Sequence, residues 1–161
     1  MASSDAARGL RPATAPAAAM TDGAFSMVQR VRFGDLDAMQ HMNNVEFLRF
    51  FETARIDYIR QLMPGHSPGN SNEFGFIFAE AHINYRAPAF FNDDIRTFVW
   101  VSEVRRSAMR VDFEMIVEAD DRKVAEGYGW LVGYDYVAGK SRPLPDDLRA
   151  RIERELRDPV G

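Results

Sequence analysis

Residues 34–44, GDLDAMQHMNN, concentrate hydrogen-bonding side chains immediately before a strongly apolar segment. Two carboxylates, one histidine and two adjacent asparagines fall within these eleven residues. A reaction site on the first turn of a helix would use such a set, because a carboxylate can attack a carbonyl or activate water while free N–H groups stabilise an oxyanion. An ordinary turn followed by a good helix cap would use the same residue types. The residue types leave both interpretations open.

Asn43 fits the N-cap position of the helix that follows, and Glu46 would then stand at the third helical position. Asn-x-x-Glu is a capping-box-like pair, so the residue type of Asn43 favours a structural role. A capped helix still leaves first-turn N–H groups unpaired, and the helix dipole adds to their attraction for negative charge. A cap and an oxyanion site can therefore occupy the same turn.

The segment VEFLRFFETARIDYIRQLM, residues 45–63, predicts one long amphipathic helix. Apolar residues recur at helical spacing along one face, at Phe47, Phe51, Ala54, Tyr58 and Leu62. The opposite face carries Glu46, Arg49, Thr53, Asp57 and Arg60. Pro64-Gly65 ends the pattern, and HSPGNSN at residues 66–72 predicts a flexible loop.

Short alternating segments on both sides of this helix predict β-strands. One strand precedes the polar stretch, at residues 27–33, and four follow the helix, at residues 75–88, 94–104, 107–119 and 123–137. The last three strands are joined by short polar turns at Arg105-Arg106 and Asp120-Asp121-Arg122. This close spacing predicts antiparallel hairpins and leaves no room for crossover helices.

Two of the predicted strands have distinct faces. The first one after the helix alternates an apolar face with a polar one; the apolar face carries Ile77, Ala79, Ala81, Ile83 and Tyr85. In the last strand one face carries Gly127, Gly129 and Gly133. Glycines inside a strand often mark close approach by another element, and the long helix is the predicted neighbour. A final amphipathic helix is predicted from about Pro145, with a narrow stripe at Leu148, Ile152 and Leu156.

The amino-acid composition excludes several classes of function. At 161 residues, 46% of them hydrophobic, the chain predicts one domain with a real core. A net charge of -4 argues against a general nucleic-acid surface, and no stretch is long and apolar enough to span a membrane. The absence of cysteine excludes thiolate sites, and three scattered histidines lack a ligand spacing, so no metal and no cofactor are predicted. A cytoplasmic location fits this composition.

Residues 1–25 are rich in Ala, Ser and Pro and lack the apolar run of a secretory signal. We interpret them as a disordered N-terminal extension; a natural start at Met20 and an organelle transit peptide are alternatives. Residues 26–161 are then one α+β domain, in which a curved antiparallel sheet wraps around one long central helix. Free sheet edges predict a homodimer or homotetramer that continues the sheet across a two-fold axis.

The pattern D-x-D-A-M-x-H-M-N-N-V-x-F-L-x-F-F-E-x-A-R, residues 35–55, resembles the hotdog-fold acyl-CoA thioesterases of the 4-hydroxybenzoyl-CoA thioesterase type. The resemblance covers roughly residues 28–145 and includes the INYRAPAFFNDDI and EVRRS segments. It implies a hotdog fold and an enzyme that hydrolyses an acyl-CoA thioester to a free carboxylic acid and CoA.

The resemblance also implies roles for individual residues. Asp37 matches the catalytic carboxylate, which acts as nucleophile or general base, and Asn44 matches the backbone N–H that polarises the thioester carbonyl. His41 would orient the substrate or the loop, and Asp35 would be a turn or capping residue. The segment that lies near the phosphates of CoA in some members matches Arg105, Arg106 and Ser107.

Two positions depart from the family pattern. Gln40 stands where many acyl-CoA members have glycine, and Met39 stands where acyl-carrier-protein thioesterases of the Q-H-x-N-N form have asparagine. The carrier is therefore open between CoA and an acyl carrier protein. A non-catalytic acyl-CoA-binding module with the same fold is a third alternative.

Overall fold

The computed structural model describes residues 22–64 and 75–160. The predicted N-terminal extension lies outside the described residues up to residue 21, as does the loop predicted at residues 66–72. Phe25, the last residue of that predicted extension, already belongs to the first strand.

In the described ranges, six strands form one antiparallel sheet, accompanied by two α-helices. The strands are β1 (Phe25–Arg30), β2 (Gly75–Tyr85), β3 (Asp94–Val104), β4 (Ala108–Val117), β5 (Arg122–Asp135) and β6 (Lys140–Ser141). The helices are α1 (Asn44–Leu62), α2 (Asp146–Glu155) and a single 3-10 turn, Phe33–Asp35. The strand order is β1-β3-β4-β5-β2, with β6 beside β5. The predicted α+β class with one long helix of 19 residues is confirmed.

Aromatic side chains join α1 to the sheet. Phe51 stacks on Phe113 of β4 with ring centroids 4.2 Å apart. Phe47 meets Tyr85 of β2 edge-on at 5.4 Å. Every residue of the predicted apolar stripe of α1 is buried. Because burying one large apolar side chain contributes about 1.5–3 kcal/mol, this stripe is the main contact between helix and sheet.

The start of α1 follows the predicted cap in one respect and departs from it in another. The Asn43 side chain accepts a hydrogen bond from the N–H of Val45 at 3.1 Å, which confirms the N-cap. The predicted capping box is wrong, because the N–H of Asn43 donates to the carbonyl of Asp35 at 2.8 Å. Glu46 is buried and pairs with Arg49 at 3.2 Å, so it does not belong to the exposed face.

A β-bulge in β2 changes which side chains face α1. Phe78 pairs with Leu131 and Glu80 pairs with Trp130, so Ala79 is the extra residue between two opposing ones. A shift of one residue reverses the faces of a strand. Phe78, not Ala79, therefore points towards α1. The predicted alternation is right after the bulge and wrong before it.

Gly127 and Gly129 of β5 make room for β2 and its side chains, not for α1 as predicted. A Cβ at Gly129 would lie 2.1 Å from the ring of Phe78, and a Cβ at Gly127 would lie 2.0 Å from the carbonyl oxygen of His82. The ring of Phe78 also lies 6.1 Å from that of Phe51 on α1. Phe78 thus occupies the space between β5 and the helix.

The C-terminal segment covers the part of β3 that has no β1 neighbour. Leu148 and Ile152 of α2 are buried, as predicted. Leu156 follows the end of α2 and is exposed, so the predicted third residue of the stripe is wrong. The helix ends before Leu156. Beyond it, the carbonyl of Asp158 accepts a hydrogen bond from the indole N–H of Trp100 at 2.9 Å.

Replacing Gly127 by Ala is expected to lower the free energy of unfolding by about 2–3 kcal/mol, because the new methyl group meets a backbone carbonyl that cannot rotate away. Gly34→Ala is the matched control, since nothing lies within 4 Å of a Cβ at that position. The control should change stability by less than about 0.5 kcal/mol. Urea unfolding measures both variants, and equal stabilities would contradict the close approach of β2.

Candidate active site

The site loop, residues 36–43, is closed by its own backbone. The N–H of Asp37 donates to the carbonyl of His41 at 2.8 Å, and the N–H of Gln40 donates to the carbonyl of Asp37 at 3.1 Å. Leu36 and Met42 form an isolated β-bridge at the base of the loop. Asp37 and His41, both predicted site residues, therefore lie in one short turn directly before α1.

Gln40 has a φ of 64°, in the left-handed region of backbone conformation. For a residue with a Cβ this conformation costs about 1 kcal/mol, whereas glycine adopts it without that cost. The backbone of this turn accounts for the glycine that many members of the resembled family carry here. This chain forms the turn with a strained residue.

One oxygen of the Asp37 carboxylate is engaged and the other is free. Oδ1 accepts hydrogen bonds from the N–H groups of Met39 at 2.8 Å and His41 at 3.3 Å. No described residue donates to Oδ2, and the side chain is partly exposed. The bonds to Oδ1 hold the carboxylate in one orientation, and Oδ2 is left to interact with water or a substrate.

Asn44 begins α1 and is exposed. Within residues 22–64 and 75–160, nothing accepts a hydrogen bond from its N–H. Its carbonyl accepts one from the hydroxyl of Tyr85 at 3.2 Å, which ties the first turn of the helix to the end of β2. The free N–H of Asn44 lies at the positive end of the helix dipole, where a developing oxyanion is stabilised.

The segment between β2 and β3 supports the site loop from one side. The ring of His41 lies edge-on to that of Phe90, with centroids 5.4 Å apart. The N–H of Met42 donates to the carbonyl of Ala89 at 2.8 Å. Neither this support nor the contact of Tyr85 with the helix start was predicted. The resemblance of INYRAPAFFNDDI to a family segment was the one signal, and it assigned no role to these residues.

Asp35 has a structural role at this site. It is buried, and its carboxylate accepts hydrogen bonds from the N–H of Arg32 at 2.8 Å and from the guanidinium of Arg32 at 2.9 and 3.1 Å. Burial acts to raise the pKa of Asp35, but these hydrogen bonds outweigh it and hold the pKa below its ordinary value. The 3-10 turn that results ends β1 at Arg30, so the strand predicted to reach Phe33 is shorter.

Large apolar side chains stand exposed beside the loop. Phe33, Met39 and Phe91 have relative exposures of 74%, 72% and 52%. The rings of Phe33 and Phe91 meet edge-on at 6.3 Å. We call these three residues the apolar rim. Exposed apolar side chains on neighbouring loops are typical of a surface that contacts an apolar ligand or a partner.

The second group of predicted site residues lies at the other end of the sheet. Arg105, Arg106 and Ser107 form the turn after β3, whereas the site loop lies beside the start of β3. Eleven residues of strand separate the two ends of β3 by about 33 Å. One chain therefore does not bring Arg106 to Asp37.

The two arginines of this turn differ in their contacts. The guanidinium of Arg105 lies 4.0 Å from the ring centroid of Trp130 and bonds to Glu103 at 2.7 Å. The exposed side chain of Arg106 makes no hydrogen bond or ion pair with any described residue. The carbonyl of Ser107 accepts from the N–H of Gly133 at 2.7 Å. Arg106 is the arginine whose charge is available to a ligand.

The described residues contain neither a metal-binding cluster nor a membrane-spanning helix. The residues with described positions contain no group of three or more His, Asp or Glu that could hold a metal ion. Among the helices in these ranges, none is long and apolar enough to cross a membrane. His82 stacks on Tyr128 at 5.3 Å on the sheet face opposite α1, and His66 lies outside the described residues.

Known proteins are similar to this chain over most of its length. A sequence model of the thioesterase-like superfamily matches residues 31–152. The long-chain acyl-CoA thioesterase FadM of Escherichia coli K12 is 26% identical over 133 residues, which are 80% of this chain and 96% of FadM. The matched region of the superfamily model includes the site loop and the turn at Arg106.

Solved structures show the same arrangement of helix and sheet. A thioesterase from Thermus thermophilus, solved with coenzyme A and Zn, has a TM-score of 0.68 at 30% identity, covering 80% of this chain and 91% of its own. A predicted thioesterase from Bacillus stearothermophilus has a TM-score of 0.76 at 18% identity, covering 84% and 98%. The latter likeness is one of fold, and these structures confirm the predicted hotdog fold.

Replacing Asp35 by Asn is expected to lower the free energy of unfolding by about 1–3 kcal/mol at pH 7, because a buried, charge-assisted hydrogen-bond acceptor is lost. The lowered pKa of Asp35 stabilises the fold above the ordinary carboxyl pKa, and this contribution is lost as the pH falls through the folded-state pKa. The difference between parent and variant should therefore shrink below about pH 4. Urea unfolding between pH 7 and pH 3 measures it, and a constant difference would contradict this role.

Proposed function

The chain belongs to the thioesterase-like superfamily of thioester hydrolases, and we propose that it hydrolyses acyl-CoA thioesters to a free carboxylic acid and CoA. The observation that carries this proposal is the position of Asp37. Its carboxylate is held by two backbone N–H groups in a loop that leads directly into the uncovered first turn of α1. A fixed carboxylate and a free helix-start N–H are the two groups that thioester hydrolysis requires.

In the proposed reaction, the thioester carbonyl oxygen accepts a hydrogen bond from the N–H of Asn44. Oδ2 of Asp37 either deprotonates a water that adds to the carbonyl carbon or attacks that carbon itself, forming an anhydride that water then hydrolyses. The carbon–sulfur bond breaks, the thiolate of CoA leaves and takes up a proton, and the carboxylic acid is released. Both routes use the same residues in the same places.

Neighbouring side chains supply orientation. The backbone N–H of His41 donates to Asp37, and its ring packs against Phe90, so the ring can orient the loop or the substrate. The bond from Tyr85 to the carbonyl of Asn44 fixes the first peptide group of α1 relative to β2. A preorganised donor stabilises a transition state better than one that has to be ordered during the reaction.

The apolar rim supports an acyl substrate. Its three side chains stand in water in the single chain, and contact with an acyl chain would cover them. FadM, which is similar over most of the chain, is a long-chain acyl-CoA thioesterase.

We further propose that the complete site forms between two copies of the chain. β2 ends the sheet, and its outer edge has no neighbouring strand among the described residues. A two-fold axis at this edge reverses the second copy, so the Arg106 turn of one subunit comes to the end of the sheet where the other subunit has Asp37. Arg106 of the partner subunit could then meet the phosphates of CoA. A homodimer, or a tetramer built from it, is the proposed assembly.

Two other functions fit the same fold. Release of an acyl chain from an acyl carrier protein would use the same chemistry, and the free charge of Arg106 suits the phosphate of either carrier. A non-catalytic acyl-CoA-binding module would bind the thioester without cleaving it. A panel of acyl-CoA and acyl-carrier-protein thioesters, assayed for release of free thiol, separates the three.

Asp37→Asn is expected to lower turnover on that panel at least about a hundredfold, because the amide has neither the basicity nor the nucleophilicity of the carboxylate. Substrate binding should change much less, since the amide oxygen can still accept from the N–H groups of Met39 and His41. Parent-like turnover by a folded Asp37→Asn variant would overturn the mechanism. A parent protein that binds acyl-CoA but releases no thiol would favour the binding module.

Asp135→Asn is the matched control for this experiment. The carboxylate of Asp135 also accepts from two backbone N–H groups, those of Val137 and Ala138, both at 2.9 Å. It lies at the end of β5, outside the site loop, so turnover should equal that of the parent. Asp35 does not serve as a control, because it is buried and holds Arg32.

Arg106→Ala is expected to raise KM for an acyl-CoA about tenfold or more with little change in kcat, because one charge-assisted hydrogen bond to a phosphate is lost. Arg105→Ala should have a smaller effect, since that guanidinium is engaged by Trp130 and Glu103. Steady-state kinetics on both variants provide the comparison. An unchanged KM for acyl-CoA with a raised KM for the acyl-carrier-protein substrate would point to the protein carrier.

A further inference from the structure

Arg122, the first residue of β5, holds the segment between β2 and β3 with its side chain. We call this segment, residues 86–93, the β2–β3 loop. Nη1 of Arg122 donates to the carbonyl of Pro88, and Nη2 donates to a carboxylate oxygen of Asp93 at 3.3 Å. The guanidinium carbon also lies 5.4 Å from the ring centroid of Phe90. One side chain from another part of the sheet therefore contacts the loop at three points.

A guanidinium is suited to such a set of contacts because it carries five N–H donors in a rigid, planar arrangement. All three nitrogens of Arg122 have acceptors, since Nε donates to Asp120 at 3.1 Å in the turn between β4 and β5. The side chain is only 19% exposed, so its contacts with the loop are largely shielded from water. A lysine at this position would keep the charge, but its single ammonium group could not span the same acceptors.

The β2–β3 loop depends on such contacts because it contains neither a helix nor a strand. Two adjacent residues of this loop support the site loop. The carbonyl of Ala89 accepts a hydrogen bond from the N–H of Met42 at 2.8 Å. The ring of Phe90 lies edge-on to that of His41 at 5.4 Å. The guanidinium of Arg122 contacts both the ring of Phe90 and the peptide group that leads into Ala89.

Movement of either support would reach Asp37. The backbone of His41 holds Asp37 twice, because its carbonyl accepts from the N–H of Asp37 at 2.8 Å and its N–H donates to Oδ1 at 3.3 Å. Met42 forms the bridge with Leu36 at the base of the site loop. A misplacement of about 1 Å at a reacting group can lower a rate about a hundredfold. A residue that fixes both supports therefore controls the position of the carboxylate.

We propose that Arg122 is a positioning residue for Asp37, which it reaches through Ala89 and Phe90 of the β2–β3 loop. The charge and planar shape of the guanidinium keep this loop against the site loop, and the site loop keeps the Asp37 carboxylate in one orientation. The effect of Arg122 on turnover rests on the proposed function. Its effect on the surroundings of His41 can be measured whether or not the chain hydrolyses a thioester.

Arg122→Lys is expected to lower kcat about tenfold or more on an acyl-CoA that the parent cleaves, with KM changed less than about threefold. A loosened carboxylate affects the reacting atoms, whereas the groups that bind the rest of the substrate stay in place. Steady-state assays of thiol release provide both constants. A parent-like kcat in a folded Arg122→Lys variant would overturn the proposal.

Arg110→Lys is the matched control. The side chain of Arg110 is 20% exposed, lies 3.9 Å from the ring centroid of Tyr128 and pairs with Asp112 at 2.8 Å, so the substitution removes the same kinds of contact. These contacts lie on the sheet face opposite α1, away from the site loop. The kcat of this variant should equal that of the parent. An equal fall in both variants would indicate general loosening of the sheet and would overturn the proposal.

The imidazole signal of His41 supplies a readout that does not need turnover. Arg122→Lys should shift this signal, because the Phe90 ring beside the imidazole is then no longer held by the guanidinium. Two-dimensional NMR of the histidine rings, assigned with His41→Gln, measures the shift. An unchanged signal would overturn the proposal. If the parent releases no thiol, the proposed function fails, and this measurement still decides whether Arg122 fixes the site loop.

The signal of His82 is the internal reference for the same spectra. His82 stacks on Tyr128 at 5.3 Å, so its signal should stay in place in Arg122→Lys and shift in Arg110→Lys. The two substitutions should thus change opposite signals. Shifts of both histidines in Arg122→Lys would indicate a disturbance of the whole sheet and would contradict a local role.

Phe90→Leu supplies a second variant if Arg122→Lys fails to fold. Leucine removes the ring that contacts both Arg122 and His41 and leaves every hydrogen bond of the guanidinium in place. It should also lower kcat with little change in KM, and a parent-like kcat would overturn the proposal. In the double variant the combined loss should be smaller than the product of the two single losses, because both loosen the same loop. Losses that multiply would show that Arg122 acts elsewhere.

Discussion

The rest of the site depends on the backbone N–H groups at the start of α1. Some of them need acceptors from the preceding loop, whereas others are left without a partner. Asn43 caps one N–H with its side chain, and its own N–H is taken by the carbonyl of Asp35. The N–H of the next residue, Asn44, has no acceptor among the described residues, and Asn44 is exposed. The loop is consequently short, strained at Gln40 and fixed by backbone bonds to Asp37. The carboxylate of Asp37 and the unpaired N–H of Asn44 belong to one short stretch of chain because the helix begins where the loop ends.

A second constraint is the packing of Phe78 between β5 and α1. The bulge at Ala79 turns this ring inward, Gly129 makes room for it, and α1 covers it with Phe51 and Arg55. These contacts attach β2, the strand at the end of the sheet, to α1, and the other edge of β2 has no neighbouring strand in the described part of the chain. The same packing buries Arg55, whose guanidinium lies over the ring of Phe78 and pairs with Glu52 at 3.9 Å. One cluster of contacts around Phe78 therefore joins the edge strand, its neighbour β5 and the helix.

Much of the fold and part of the site could be predicted from sequence because they depend on residues close together in the chain. The stripe of α1, its N-cap and the antiparallel order of the strands follow from local periodicity and turn residues. The loop with Asp37 could be recognised because its motif is long and continuous. Glu46 and Arg55 show the limit of such reasoning. Helical spacing placed Glu46 on the exposed face, yet its side chain is buried, and nothing in the pattern distinguished Arg55 from other arginines of the helix. The bulge of β2 was equally invisible, since one extra residue leaves the composition of a strand unchanged.

By itself the sequence determined the class of the fold, the start of the helix and the residues of the site loop, because each is decided by side chains within a few positions of one another. Tertiary structure alone decided which contacts support that loop, that Tyr85 reaches the helix start, and that Arg106 and Asp37 lie at opposite ends of one chain. It also decided that Phe78, not α1, occupies the space above Gly129 of β5. Those outcomes depend on strand register and on packing between residues far apart in sequence, and a shift of one residue in a strand reverses every face that a local pattern assigns.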